Sequence, residues 1–206
     1  MKASDILKPY RKAAPELGYR ANAWITLLTL LEAGAEGLSK ADLMTHYSIF
    51  GDGATTALTR WKTKGLLTVR ERKCRGDQGG RNANVYVATE KLRDLLTDGM
   101  DGIRVADILA RYNEIAPALK KRASVWITFL QLCEAGAEGM TKATLLNYYA
   151  CNNKRRASAL NMWEHAQLVT QQRYDARGDG GGRKRCVYTP TPKLHAFLRV
   201  KMEAAA

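Results

Sequence analysis

The sequence predicts a mainly α-helical protein with small β-hairpins, in which one folding unit is built twice in tandem. Three observations predict it. The stretch AWITLLTLLEAGAEGLSKADLMTHY from Ala23 aligns without a gap on VWITFLQLCEAGAEGMTKATLLNYY from Val125, a shift of 102 residues. At that shift, residues 3–96 and 105–198 share 41 identities in 94 positions, so the two segments encode one fold. Within each segment, apolar runs with helical spacing come first, and β-branched and aromatic runs around a glycine-rich stretch, RGDQGGR or RGDGGGR, come last. The boundary falls in the short linker Asp98-Gly99-Met100-Asp101-Gly102, which gives domains at 1–100 and 101–206.

The elements of one repeat follow in order. An opening helix runs over Ser4 to Ala14, with Pro9 obscuring its start. From Arg20 to Gly34 the chain is apolar almost all round (Trp24, Ile25, Leu27, Leu28, Leu30, Leu31), the pattern of a helix buried on most sides. Gly34 and Gly37 end it as a helix cap and a turn. Ser39, with the carboxylate of Asp42 three places on, opens a short helix to Tyr47; Thr141 is the cap in the second repeat, where Thr144 replaces the carboxylate.

A third helix over Gly53–Lys64 carries Ala54, Ala57, Leu58 and Trp61 at the spacing of an inward face. Its other face holds Thr55, Thr56, Thr59, Arg60 and Lys62, and Gly65 ends it. LLTVRERKC and ANVYVATEKL then predict a β-hairpin whose tip is the glycine-rich stretch, and a closing helix runs from Thr89 to Leu96. Trp24, Trp61, Trp126 and Trp163 recur at equivalent inward positions, as does Cys133 in place of Leu31, which assigns all of them to the cores. Three helices with a short turn between the last two, followed by a β-hairpin, is the order of a winged helix.

Charge indicates the partner. The chain has 206 residues, with 33 Lys and Arg against 20 Asp and Glu, a net charge of +13 and a pI near 9.7. That excess implies a polyanion, with nucleic acid as the leading candidate. No apolar run approaches membrane-spanning length, and MKASDILKPY lacks the apolar core of a secretory signal, so the expected location is the cytoplasm, at the nucleoid, with no membrane partner. The cysteines Cys74, Cys133, Cys151 and Cys186 and the histidines His46, His165 and His195 are dispersed, without zinc-ligand spacing or a catalytic cluster. The sequence therefore predicts no enzyme, no metal and no cofactor.

The run from AWITLLTLLEAGAEGLSKADL through Trp61-Lys62-Thr63-Lys64-Gly65-Leu66-Leu67 to the arginine-bearing hairpin and VYVATEKL resembles the MarR family of bacterial winged-helix regulators, over nearly all of each repeat. The resemblance implies double-stranded DNA binding and transcriptional control. Members of that family usually work as homodimers with one winged helix each; this chain departs from the pattern by carrying two, so it is expected to act as a monomeric pseudo-dimer or as a homodimer.

In a winged helix the third helix enters the major groove and the hairpin flanks it on the backbone or minor groove. The expected base-reading residues are Thr55, Thr56, Thr59 and Arg60 in the first repeat and Lys154, Arg155, Arg156, Ser158 and Asn161 in the second. Wing contacts are expected from Arg75, Arg81, Arg177, Arg183, Lys184 and Arg185, and phosphate contacts from Lys40 and Lys142 in the first turn of the preceding helix. The charge lies where this reading needs it: residues 103–206 hold 17 basic and 8 acidic residues, against 16 and 12 in residues 1–102, and Lys154-Arg155-Arg156 and Arg183-Lys184-Arg185 are its two clusters. From Ser48 to Thr56 against Ala150 to Ser158 there is no identity in nine positions, whereas Ala57-Leu58 recur as Ala159-Leu160. Two non-identical recognition helices are therefore expected to read different half-sites. Two alternatives stay open: a plasmid or phage replication or partition protein that binds DNA in the same way, and a protein-binding adaptor that uses paired winged helices.

Overall fold

The computed structural model describes residues 1–46, 52–72, 83–120, 122–148, 153–174 and 185–200. The elements of the first repeat are α1 (Ala3–Ala13), α2 (Ala21–Glu32), a 3-10 turn (Gly34–Glu36), β1 (Leu38–Ser39), α3 (Lys40–His46), α4 (Asp52–Thr63), β2 (Leu67–Arg72), β3 (Ala83–Ala88) and α5 (Glu90–Thr97). The same series follows in the second: α6 (Val105–Ile115), α7 (Ala123–Ala135), a 3-10 turn (Gly136–Glu138), β4 (Met140–Thr141), α8 (Lys142–Tyr148), α9 (Asn153–His165), β5 (Val169–Tyr174), β6 (Arg185–Pro190) and α10 (Pro192–Leu198). The protein is mainly helical, with two small antiparallel sheets ordered β1-β3-β2 and β4-β6-β5.

By its internal contacts the chain divides into a unit of residues Lys8–Ala123 and a unit of Met1–Leu7 with Ser124–Ala206. These units do not follow the linker between the repeats. Helix α6, the first of the second repeat, belongs to the same unit as α2 and packs against it.

Helix α2 is the hub of the Lys8–Ala123 unit. Ala21, Ala23, Trp24, Ile25, Thr26, Leu27, Leu28 and Leu30 are all buried, so it needs cover on every side, and α3, α5, α6 and β3 supply it. Buried Thr26 is tolerated because its hydroxyl donates to the carbonyl of Asn22 at 2.8 Å. Tyr10 of α1 meets Trp24 edge to face, with ring centres 5.3 Å apart. Pro9 lies inside α1 and does not delay its start. An interior proline costs a helix about 3 kcal/mol, and the burial of Ile6, Leu7, Tyr10 and Ala13 around it outweighs that cost. Lys8 and Lys12 of α1 pair with Asp101 and Asp98 and tie the helix to the linker.

The third strand of each sheet is absent from the sequence reading, which expected a two-stranded hairpin. Leu38 and Ser39 pair antiparallel with Tyr86 and Val85 of β3, and Met140 and Thr141 pair with Tyr188 and Val187 of β6. Gly37 and Gly139 make this possible. They adopt φ 66, ψ −172 and φ 63, ψ −167, a region that is essentially glycine's alone. A Cβ on Gly37 would lie 2.3 Å from the carbonyl oxygen of Tyr86, and one on Gly139 2.5 Å from that of Tyr188. The expected capping of α3 is present, with the Ser39 hydroxyl 2.6 Å from Asp42 Oδ2 and the Asp42 amide donating to Ser39 Oγ at 3.2 Å. In the second repeat the Thr144 amide donates to Thr141 Oγ1 at 3.2 Å.

The hairpin strands pair from Leu67 with Ala88 to Arg72 with Ala83, and from Val169 with Pro190 to Tyr174 with Arg185. Thr89 caps α5 by accepting from the Leu92 amide at 3.2 Å while its hydroxyl donates to the Gly65 carbonyl at 2.8 Å. Thr191 does the same for α10, accepting from Leu194 and donating to Gln167.

In the second repeat Phe129 of α7 packs edge to face on Trp163, with ring centres 4.7 Å apart, and Cys133 is buried, which pushes its thiol up to about 12. His195 of α10 is also buried, and its Nδ1 has no hydrogen-bond partner among the described residues. Burial holds this imidazole below the ordinary histidine value, since charging it would strand a cation away from water. Because the folded value is depressed, its contribution is complete above the unfolded-state pKa and is lost as pH falls through the folded value. We predict that the melting temperature drops as pH falls below about 6.5, the ordinary histidine value, and that the drop shrinks in His195→Gln. Equal pH profiles for the two proteins would show that another group controls the loss.

Candidate nucleic-acid interface

Helix α4 divides its residues between two faces. Ala57, Leu58 and Trp61 are buried at 3%, 4% and 0% exposure, and this face anchors the helix to the core. Thr55, Thr56, Thr59, Arg60, Lys62 and Thr63 are exposed. All four base-reading residues expected in the first repeat therefore lie on one open helical face, and Lys62 and Thr63 extend it.

Lys40, the first residue of α3, is exposed, and its ammonium donates to Thr55 Oγ1 at 3.0 Å. The expected phosphate contact and the expected recognition face are thus adjacent. At its other end α4 is held by Lys64, whose ammonium donates to the Glu16 carbonyl at 2.8 Å and to the Glu16 carboxylate at 2.9 Å. The hydrogen bond from Lys64, together with its charge, lowers the Glu16 carboxyl from its usual value. The Lys91 ammonium in turn donates to the Lys64 carbonyl at 2.9 Å. These contacts join the C-terminal end of α4 to the α1–α2 turn and to α5.

In α9 the corresponding inward face is Ala159, Leu160 and Trp163, all buried, while Asn161, Met162, Glu164 and His165 are exposed. Met162, 62% exposed, stands where the first repeat has Arg60, so an apolar side chain replaces a charged one on the outer face. Lys154, Arg155, Arg156 and Ser158 belong to the first turns of α9, but their side chains lie outside the described residues. Lys142, exposed, opens α8 as Lys40 opens α3. Arg75, Arg81, Arg177, Arg183 and Lys184 lie outside the described residues; Arg185 begins β6, opposite Tyr174, and its side chain is likewise outside them.

The sequence reading missed two features of this region. Thr63 continues the outward row Thr55–Thr59 by one further turn, a relation visible in the sequence as i, i+4, i+8 spacing. The link from Lys40 to Thr55 joins residues in different helices and has no local signal. Among the described residues no cluster of three or more His, Cys, Asp and Glu could hold a metal ion, and no helix is long and apolar enough to cross a membrane. No protein-family model matches this chain, and comparison with curated proteins finds no match.

Proposed function

We propose that the chain is a sequence-specific double-stranded DNA-binding protein that acts in transcriptional control at the nucleoid, with each repeat a winged helix and α4 and α9 its two recognition helices. The observation that carries this reading is the outer face of α4: threonines and cations on the side opposite a fully buried tryptophan, with Lys40 against its leading end. Such a face matches what the major groove offers, base edges and methyl groups flanked by phosphates. The net charge of +13 supports it, as does the edge-anchored sheet beside each recognition helix, whose two long strands lead into the arginine-bearing stretches.

The two outer faces differ in kind. Arg60 and Thr59 in the first repeat become Met162 and Asn161 in the second, so one chain supplies two unlike readers and needs no identical partner to bind an asymmetric site. Selection of bound duplexes from a random pool tests this. The expected product is a site with two dissimilar halves, bound with an affinity that falls steeply as salt rises. A perfect palindrome would overturn the two-reader reading, and failure to bind any duplex at low salt would transfer the protein to the adaptor class.

A further inference from the structure

We infer that α4 recognises thymine through its 5-methyl group, with the row Thr55, Thr59 and Thr63 as the reading surface; the inference rests on the DNA-binding reading above. The three residues are exposed and lie at i, i+4 and i+8 on one side of the helix. The hydroxyl protons of Thr59 and Thr63 are already given to helix carbonyls, and the Thr55 oxygen is held by Lys40. Thr59 Oγ1 donates to the Thr55 carbonyl at 3.0 Å, Thr63 Oγ1 donates to the Thr59 carbonyl at 3.0 Å, and Thr55 Oγ1 accepts from the Lys40 ammonium at 3.0 Å.

A threonine with a freely rotating hydroxyl can donate to or accept from many base edges, and so discriminates poorly. Once its proton is given to a helix carbonyl, the side chain has no donor left for a base. What Thr59 and Thr63 keep for a ligand is a γ-methyl group and an oxygen lone pair. In the major groove the one apolar substituent on any base is the thymine methyl, and burial of methyl against methyl is the favourable contact that such a row can make. The Lys40 ammonium at the leading end of the row adds charge for the adjacent phosphate without adding a base preference.

The second repeat does not reproduce this surface. At the equivalent positions it has Ala157, Asn161 and His165, and the exposed Asn161 carries an amide whose donor and acceptor pair suits adenine. The methyl effect that depends on this threonine row therefore belongs to the half-site under α4.

The test uses the full chain and a duplex obtained by selection, with thymines replaced one at a time by deoxyuridine. That change removes the methyl and keeps the pairing and the O4 acceptor. The expected result is a loss of about fourfold in affinity per methyl at two or three thymines in one half of the footprint. Thr59→Ser keeps the hydroxyl and its bond to the helix but deletes the protein's methyl; it should abolish the difference between thymine and deoxyuridine at one position. If every deoxyuridine duplex binds as the parent does, or if Thr59→Ser leaves the methyl effect intact, the methyl reading is wrong while DNA binding stands. If no duplex binds at low salt, the DNA-binding reading itself has failed.

Discussion

Gly37→Ala should destabilise the protein by about 3 kcal/mol or more, and Gly139→Ala by a similar amount. Two costs combine at each position. The backbone there, at φ 66, ψ −172 and φ 63, ψ −167, lies in a region that non-glycine residues enter only under strain. The new Cβ would also stand 2.3 Å from the Tyr86 carbonyl oxygen in one repeat and 2.5 Å from the Tyr188 carbonyl oxygen in the other. Those are backbone atoms, so relief requires that β1 leave β3, or β4 leave β6, and with each edge strand goes the start of the helix it leads into. Gly34 and Gly136 provide the control, because they too have positive φ, 58° and 54°, but no atom of the described residues lies within 4 Å of a Cβ placed on them. Alanine there should cost about 1 kcal/mol, the left-handed strain alone. Urea unfolding of the four variants gives the comparison. Equal losses at Gly37 and Gly34 would mean that the close approach to β3 carries no energetic weight.

The second large effect is on DNA affinity. Lys40→Ala, Lys62→Ala and Lys142→Ala combined should reduce affinity on the order of 10² to 10³-fold at about 0.1 M salt, and each should lower the salt slope by about 0.9. All three are exposed, and Lys40 and Lys142 open α3 and α8, the helices that precede α4 and α9. Cations at such positions release counterions from phosphates whatever the base sequence, so binding to every duplex should weaken alike. Exchange of Arg60 in α4 or Asn161 in α9 should behave differently. Arg60→Ala and Asn161→Ala should change which duplex is preferred, with a smaller change in salt slope. Competition titrations against selected and random duplexes at several salt concentrations separate the two classes. A triple lysine variant that binds with unchanged slope would remove α3 and α8 from the interface.

Much of the fold could be read from residue pattern because its determinants are local. The all-round apolar run from Trp24 to Leu30, the Ser39–Asp42 pair and the inward Ala57–Leu58–Trp61 each encode a helix within a few residues of themselves, and each is found where its pattern places it. The threonine cap at Thr89 and its copy at Thr191 belong to the same class. The outer face of α4 follows as well, since a 3.6-residue period that buries Trp61 must expose Thr55, Thr59 and Arg60.

The edge strands escaped that reading because two residues have no period, and their pairing depends on Gly37 and Gly139 meeting a carbonyl about fifty residues away in sequence. Pro9 misled for a related reason: the lost backbone bond is a local cost, and the burial of Ile6, Leu7, Tyr10 and Ala13 that offsets it comes from tertiary packing.

The sequence by itself determined that one fold is written twice, which face of α4 is buried, and that the second copy carries different residues at the positions that would read DNA. Tertiary structure alone decided that α6 packs on α2 across the repeat boundary, that a third strand closes each sheet, and that Lys40 meets Thr55. The reason is physical: period and capping are properties of neighbours in the chain, whereas a helix that is apolar all round can state that it needs covering but not which helix will cover it.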